Sequence, residues 1–214
     1  MGGSTYRTVA GQGEAAFEVR GSEFIGYAAP AESIDTAEAF VERINERHPD
    51  ATHNVPAYRV RASSAGADRF SSGGGFLREY SSDDGEPSGS AGKPSLNVLQ
   101  QRDVENAIVV VTRYYGGTNL GVGGLVRSYS RAVKEAVDDA GIVEERPHER
   151  LRIRVTYDDS GTVRGILESE AVEFEAEYGE DVSFTVRIPV EETDALCDRL
   201  RSATSGRAEI DAAG

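Results

Sequence analysis

Residues 106–134 read NAIVVVTRYYGGTNLGVGGLVRSYSRAVK, and the fold turns on how this stretch is read. Residues 107–111 form an unbroken, β-branched apolar run, the pattern of a strand buried on both faces. Gly116, Gly117, Gly121, Gly123 and Gly124 follow it. Leu125, Tyr129, Ala132, Val133, Ala136, Val137 and Ala140 then recur at helical spacing, and Gly141 stands where that helix should stop. The order is strand, glycine loop, helix. The stretch contains no Asp or Glu, although the chain carries 37 of them, and about five would fall here at the average frequency. Its bases are Arg113, Arg127, Arg131 and Lys134. Bases at the helix start, with Glu135, Asp138 and Asp139 in the last turns, oppose the helix dipole by about 0.3–1 kcal/mol each. Helix stability therefore does not explain them.

Two readings of this loop stay open. At a helix N-terminus, free N–H groups and the dipole favour a phosphate or carboxylate, and Arg113 and Arg127 would add charge-assisted contacts. Tyr114 and Tyr115 offer flat faces for stacking. Alternatively, the glycines serve a tight strand–helix connection and the bases form a solvated face. The pattern matches neither the Walker phosphate loop nor the dinucleotide fingerprint.

Upstream, residues 83–94 read DDGEPSGSAGKP. Asp83, Asp84 and Glu86 could coordinate Mg²⁺, or one of them could act as a general base. The same residues also read as a turn, with Asp84-Gly85 setting the bend and Asp83 capping it. Ser88 and Lys93 join the candidate anion contacts. No Cys/His set has zinc-ligand spacing, and the three histidines support no Ser-His-Asp order.

Working outward, residues 1–16 are polar, aperiodic and expected to fray. Two strands flank Gly21. A helix is expected over 33–48, capped by Ser33, with His48 on the surface of its last turn. Residues 55–61 alternate as a strand, and His53 before it faces either a cleft or a structural partner. A Gly/Ser-rich loop is expected at 62–75, a returning strand at 76–82, a short helix at 95–101, and the central strand over 104–112. Residues 141–150 read as a charged connector with an exposed His148. Beyond it, strand, helix, hairpin, helix and strand follow in β-α-β-β-α-β order, a ferredoxin-like unit. That unit holds 15 acids and 7 bases over 151–214, no obvious surface for nucleic acid.

The chain has 214 residues and a net charge of −14, with Lys93 and Lys134 as its only lysines. An acid-rich, Lys-poor composition keeps a protein soluble in concentrated salt, so a halophilic source is expected; an acidic protein of a GC-rich organism is the alternative. The whole-surface charge then says little about partners. A single cysteine, Cys197, excludes an internal disulfide framework and points to a reducing cytoplasm; it reads as a buried helix residue. No apolar run approaches the ~20 residues that span a bilayer, and the first residues do not have the pattern of a signal peptide.

At residues 83–94 and 109–133 the chain resembles the YigZ/IMPACT family. SEFI at 22–25 and THNVPAYRV at 52–60 match earlier blocks of that family in the same order. The resemblance implies two domains, 1–146 and 147–214, in an α+β chain. The first would be an α/β sandwich like the second domain of a small-subunit ribosomal protein and of GHMP kinases. The second, ferredoxin-like, would be similar to the carboxy-terminal domain of elongation factor G. Both analogies point toward RNA or the ribosome, and eukaryotic IMPACT proteins are linked to translational control. The family transfers no catalytic residue. The loop at 62–75 and Thr118-Asn119 depart from its pattern.

Three functions follow. The first, a non-enzymatic RNA-, ribosome- or translation-factor-binding regulator, would present the acid-free segment to phosphates. The second is an enzyme handling nucleotides or phosphate esters, with a metal at Asp83, Asp84 or Glu86. The third is a protein-interaction module whose motifs serve the fold alone. No cofactor is expected, apart from the Mg²⁺ option.

Overall fold

The computed structural model describes residues 5–61 and 77–213; the loop expected at 62–75 lies outside them. The chain divides into two compact mixed α/β units, with the break between Glu145 and Arg146.

The first unit is built on a five-stranded sheet. Its strands are β2 (Gly13–Val19), β3 (Ser22–Pro30), β4 (His53–Arg61), β5 (Leu77–Ser81) and β6 (Ala107–Tyr114). They lie in the order β2-β3-β6-β4-β5, every neighbour antiparallel. β6 is central, and its first seven residues are buried. Val109 and Val111 face one core, with α2 (Gly92–Gln101) and α3 (Val122–Ala140). Ile108 and Val110 face a second core under α1 (Ile34–Arg47). The unbroken apolar run thus comes from helices on both faces of an antiparallel sheet, each alternate set of residues meeting its own apolar layer.

Each helix follows from its sequence. Ser33 Oγ accepts the N–H of Thr36 at 3.1 Å and caps α1. All seven residues of the expected α3 stripe, from Leu125 to Ala140, are buried. That helix lies close to the sheet because β2 and β3 present glycines to it. A Cβ at Gly13 would stand 2.2 Å from the Ala136 carbonyl oxygen, and one at Gly26 would stand 2.4 Å from that of Ala132.

Two expectations fail. Residues 6–9 do not fray: Tyr6–Val9 is strand β1, paired antiparallel with β7 (Ile142–Glu145), and Val9 is buried. The supposed connector at 141–150 supplies that partner. Four residues are too few to show a period, and their partner lies some 135 positions away in the chain.

The second unit contains β8 (His148–Val155), α4 (Tyr157–Ser169), β9 (Phe174–Tyr178), β10 (Val182–Pro189), α5 (Val190–Ala203) and β11 (Glu209–Ala212). Its sheet order is β11-β8-β10-β9, antiparallel throughout. Leu151, Ile153, Phe184 and Val186 pack with Val163 and Leu167 of α4 and Leu196 and Leu200 of α5. Cys197 is buried in that core. Asp159, in the first turn of α4, accepts two hydrogen bonds from Arg207, each at 2.8 Å, and these hold its carboxyl below the usual range.

Candidate functional site

The segment after β5 is a turn held by its own acids. Asp84 and Gly85 have positive φ, 46° and 84°. The Asp83 carboxylate accepts the N–H groups of Gly89 at 2.7 Å, Ala91 at 3.0 Å and Gly92 at 2.8 Å, and so caps the entry to α2. Burial pushes its pKa up, but these three donors pull it further down, and the net shift is below the ordinary Asp value. Asp84 turns away and accepts the Asn54 N–H at 2.6 Å. Its backbone oxygen lies 2.6 Å from His53 Nδ1, so that ring nitrogen carries the proton.

Glu86 points inward and is 8% exposed. It accepts Arg113 Nη1 at 2.5 Å and the Tyr129 hydroxyl at 2.8 Å, while His53 Nε2 lies 3.8 Å away. Desolvation, then the Glu86 charge, raise the Tyr129 pKa and keep it a hydrogen-bond donor. The three acids therefore have separate partners. Among the described residues no group of three His, Cys, Asp or Glu can hold a metal. Of the two readings of Asp83, Asp84 and Glu86, the hydrogen bonds support the turn: Asp83 holds Gly89, Asp84 holds Asn54 and Glu86 holds Arg113.

Asp83 gives an acid-stability prediction. Its folded pKa is depressed, so its contribution is present above the unfolded value near 3.9 and is lost as pH falls through the folded value. Asp83→Asn should cost about 1–3 kcal/mol at neutral pH. It should also flatten the loss of stability below about pH 4, measured by urea unfolding across pH.

Arg113 also moves out of the set in which the sequence placed it. It is 5% exposed, and besides Glu86 it reaches Ser22 Oγ at 3.3 Å. It is a buried partner to a carboxylate, not a surface contact for an anion. Ser22 Oγ also accepts the Gly116 N–H at 3.1 Å. Gly116 meets the β2–β3 turn so closely that a Cβ there would lie 1.9 Å from the Gly21 carbonyl. The Glu86–Arg113–Tyr129 cluster thus ties the acidic turn, the end of β6 and α3 into one body. Tyr114 is half-buried, its hydroxyl 2.9 Å from His48 Nδ1, and the Tyr27 hydroxyl is 2.7 Å from His48 Nε2. His48 is therefore a half-buried bridge rather than the expected surface residue. Desolvation, then Arg47, lower its pKa.

Beyond Gly116 the loop is exposed. Gly117 and Gly121 have positive φ, and Gly121 enters α3 with no side-chain cap and no acid in the first turn. Leu125 donates to the Gly121 carbonyl; by helix geometry the N–H groups of Val122, Gly123 and Gly124 have no partner within the helix. Arg127, Arg131 and Lys134 project from the exposed side of α3. Arg131 donates from Nε to Glu135 at 2.7 Å, whereas Arg127 and Lys134 have no ion pair among the described residues. Ser88 and Lys93 are exposed but do not line the grooves beside this helix.

A base that sequence reasoning missed joins them. Arg20, at the β2–β3 turn with φ 50°, lines a groove of about 280 Å³ together with Phe17, Val19, Leu120, Arg127 and Arg131. Gly124 and Ser128 also line it, and among the described residues no carboxylate does. The one local sign was Arg-Gly in a turn; that this turn meets α3 is a matter of sheet order.

The comparisons with known proteins agree on the family. The Impact N-terminal domain matches residues 20–137, and a domain of unknown function, DUF1949, matches residues 153–207. The IMPACT family member YvyE of Bacillus subtilis is 33% identical over 207 residues, covering 96% of this chain and 90% of YvyE. Protein IMPACT of Rattus norvegicus is 35% identical over 104 residues, 48% of this chain and 29% of the rat protein. A crystal structure of a protein described as hypothetical superposes with a TM-score of 0.70 at 27% identity, covering 98% of both chains. The chain belongs to the IMPACT family. No described helix is long and apolar enough to cross a membrane.

Proposed function

We propose that this member of the IMPACT family is a non-enzymatic, translation-associated RNA-binding protein, gripping RNA phosphates at the start and exposed face of α3. One observation carries the reading. In a chain of net charge −14, Arg20, Arg127, Arg131 and Lys134 share one exposed face, and three of them have no ion pair among the described residues. The uncapped glycine N-terminus of α3 adds outward N–H groups. The translation setting is drawn from the family, whose eukaryotic members are linked to translational control. The strand order β11-β8-β10-β9 supports a ferredoxin-like second domain; the analogy to elongation factor G comes from the family resemblance. Cytoplasmic residence fits the single cysteine.

The salt dependence of RNA binding tests this, measured by fluorescence anisotropy in the range where the protein is folded. Each phosphate contact releases counterions, so log K falls linearly with log salt. Replacing both Arg127 and Lys134 with alanine should weaken binding of all RNA sequences alike and reduce the slope by about 2. An unchanged slope would place the phosphates elsewhere.

A further inference from the structure

The groove beside α3 contains a layered stack that a phosphate site does not need. Phe17 and Phe24 stack with ring centroids 5.5 Å apart and planes 13° from parallel. The Arg131 guanidinium sits over Phe17, 4.0 Å from its centroid. Glu135 accepts from Arg131 Nε at 2.7 Å, so the guanidinium is fixed from two sides, yet its side chain remains 52% exposed. The groove's apolar walls are Phe17, Val19 and Leu120, and Ser128 offers a hydroxyl with no side-chain hydrogen bond among the described residues. Charge and N–H donors suffice for a phosphate; a fixed planar cation against apolar walls suits a flat aromatic ring.

We infer that the groove holds one unstacked base of single-stranded RNA, laid on the Arg131 guanidinium, with Arg20 and Arg127 on the adjoining phosphates. This rests on the RNA reading above and specifies it. Bases in an A-form duplex are stacked within the helix, and side chains cannot read its deep, narrow major groove. A free loop or end can place a ring on a guanidinium plane.

The test uses the full-length chain with three probes at one salt concentration: a single-stranded RNA oligomer carrying 2-aminopurine, the same sequence as a duplex, and inorganic polyphosphate. The wild type should bind the single strand at least tenfold more tightly than the duplex and quench the 2-aminopurine. Arg131→Lys keeps the charge and removes the plane. It should weaken single-strand binding about tenfold, abolish the quench, and leave polyphosphate binding within about twofold. Equal binding of single strand and duplex, or wild-type affinity and quench in Arg131→Lys, overturns the inference while leaving the RNA reading in place. Failure of the wild type to bind either RNA overturns both.

Discussion

Glu86→Ala should lower the unfolding free energy by about 3–5 kcal/mol, because it leaves a buried guanidinium without its carboxylate. Arg113 is 5% exposed and its Nε has no hydrogen-bond partner among the described residues, so losing the 2.5 Å contact to Glu86 leaves its charge, among those residues, with Ser22 as the remaining side-chain hydrogen-bond partner. The Tyr129 hydroxyl, on a fully buried side chain, loses its acceptor as well. Arg113→Leu should cost a similar amount, by leaving Glu86 charged and buried. Glu86→Leu combined with Arg113→Met should cost much less than the sum of the single changes, since an apolar pair removes both desolvation penalties. Urea unfolding of the four proteins measures this. A loss below about 1 kcal/mol for Glu86→Ala would mean that the cluster does not hold the turn, β6 and α3 together.

The second large effect falls on binding, not folding. Arg127→Glu with Arg131→Glu should reduce RNA affinity at least 100-fold, since the proposed phosphate contact and the proposed base platform both become repulsive anions. Both residues are exposed. The change should therefore cost only about 1–2 kcal/mol of stability, from the Arg131–Phe17 contact and the reversed Arg131–Glu135 pair. Lys93→Glu, on an exposed cation away from the groove, is the control and should change affinity only a few-fold. Wild-type affinity in the double variant would remove α3 from the interface.

Much of the fold could be read locally. The α3 stripe was visible because seven apolar positions recur over 16 residues. The Asp83–Gly85 bend was visible because Asp and Gly are the residues that accept left-handed backbone. The strand Tyr6–Val9 was not, because its partner is distant in sequence. The strand, loop and helix that carry the candidate bases were legible; which of those bases are exposed was not. Arg113 precedes the loop and groups with Arg127 by sequence, but odd and even positions of a strand face opposite layers, and its layer is the one containing Glu86 and Tyr129. Arg20 was missed for the converse reason: no pattern within the chain announces that the β2–β3 turn meets the start of α3. Sequence left Asp83, Asp84 and Glu86 open between a shared metal and a turn, and only the positions of Gly89, Ala91 and Gly92 around Asp83 decide for the turn.

Photocrosslinking single-stranded RNA to the full-length wild-type protein, with the modified peptides mapped by mass spectrometry, locates the bound RNA on the protein surface. Crosslinks are expected within residues 17–20 and 120–134, on the face that carries Arg20, Arg127, Arg131 and Lys134. Crosslinks confined to residues 146–213, with none on that face, would contradict this placement.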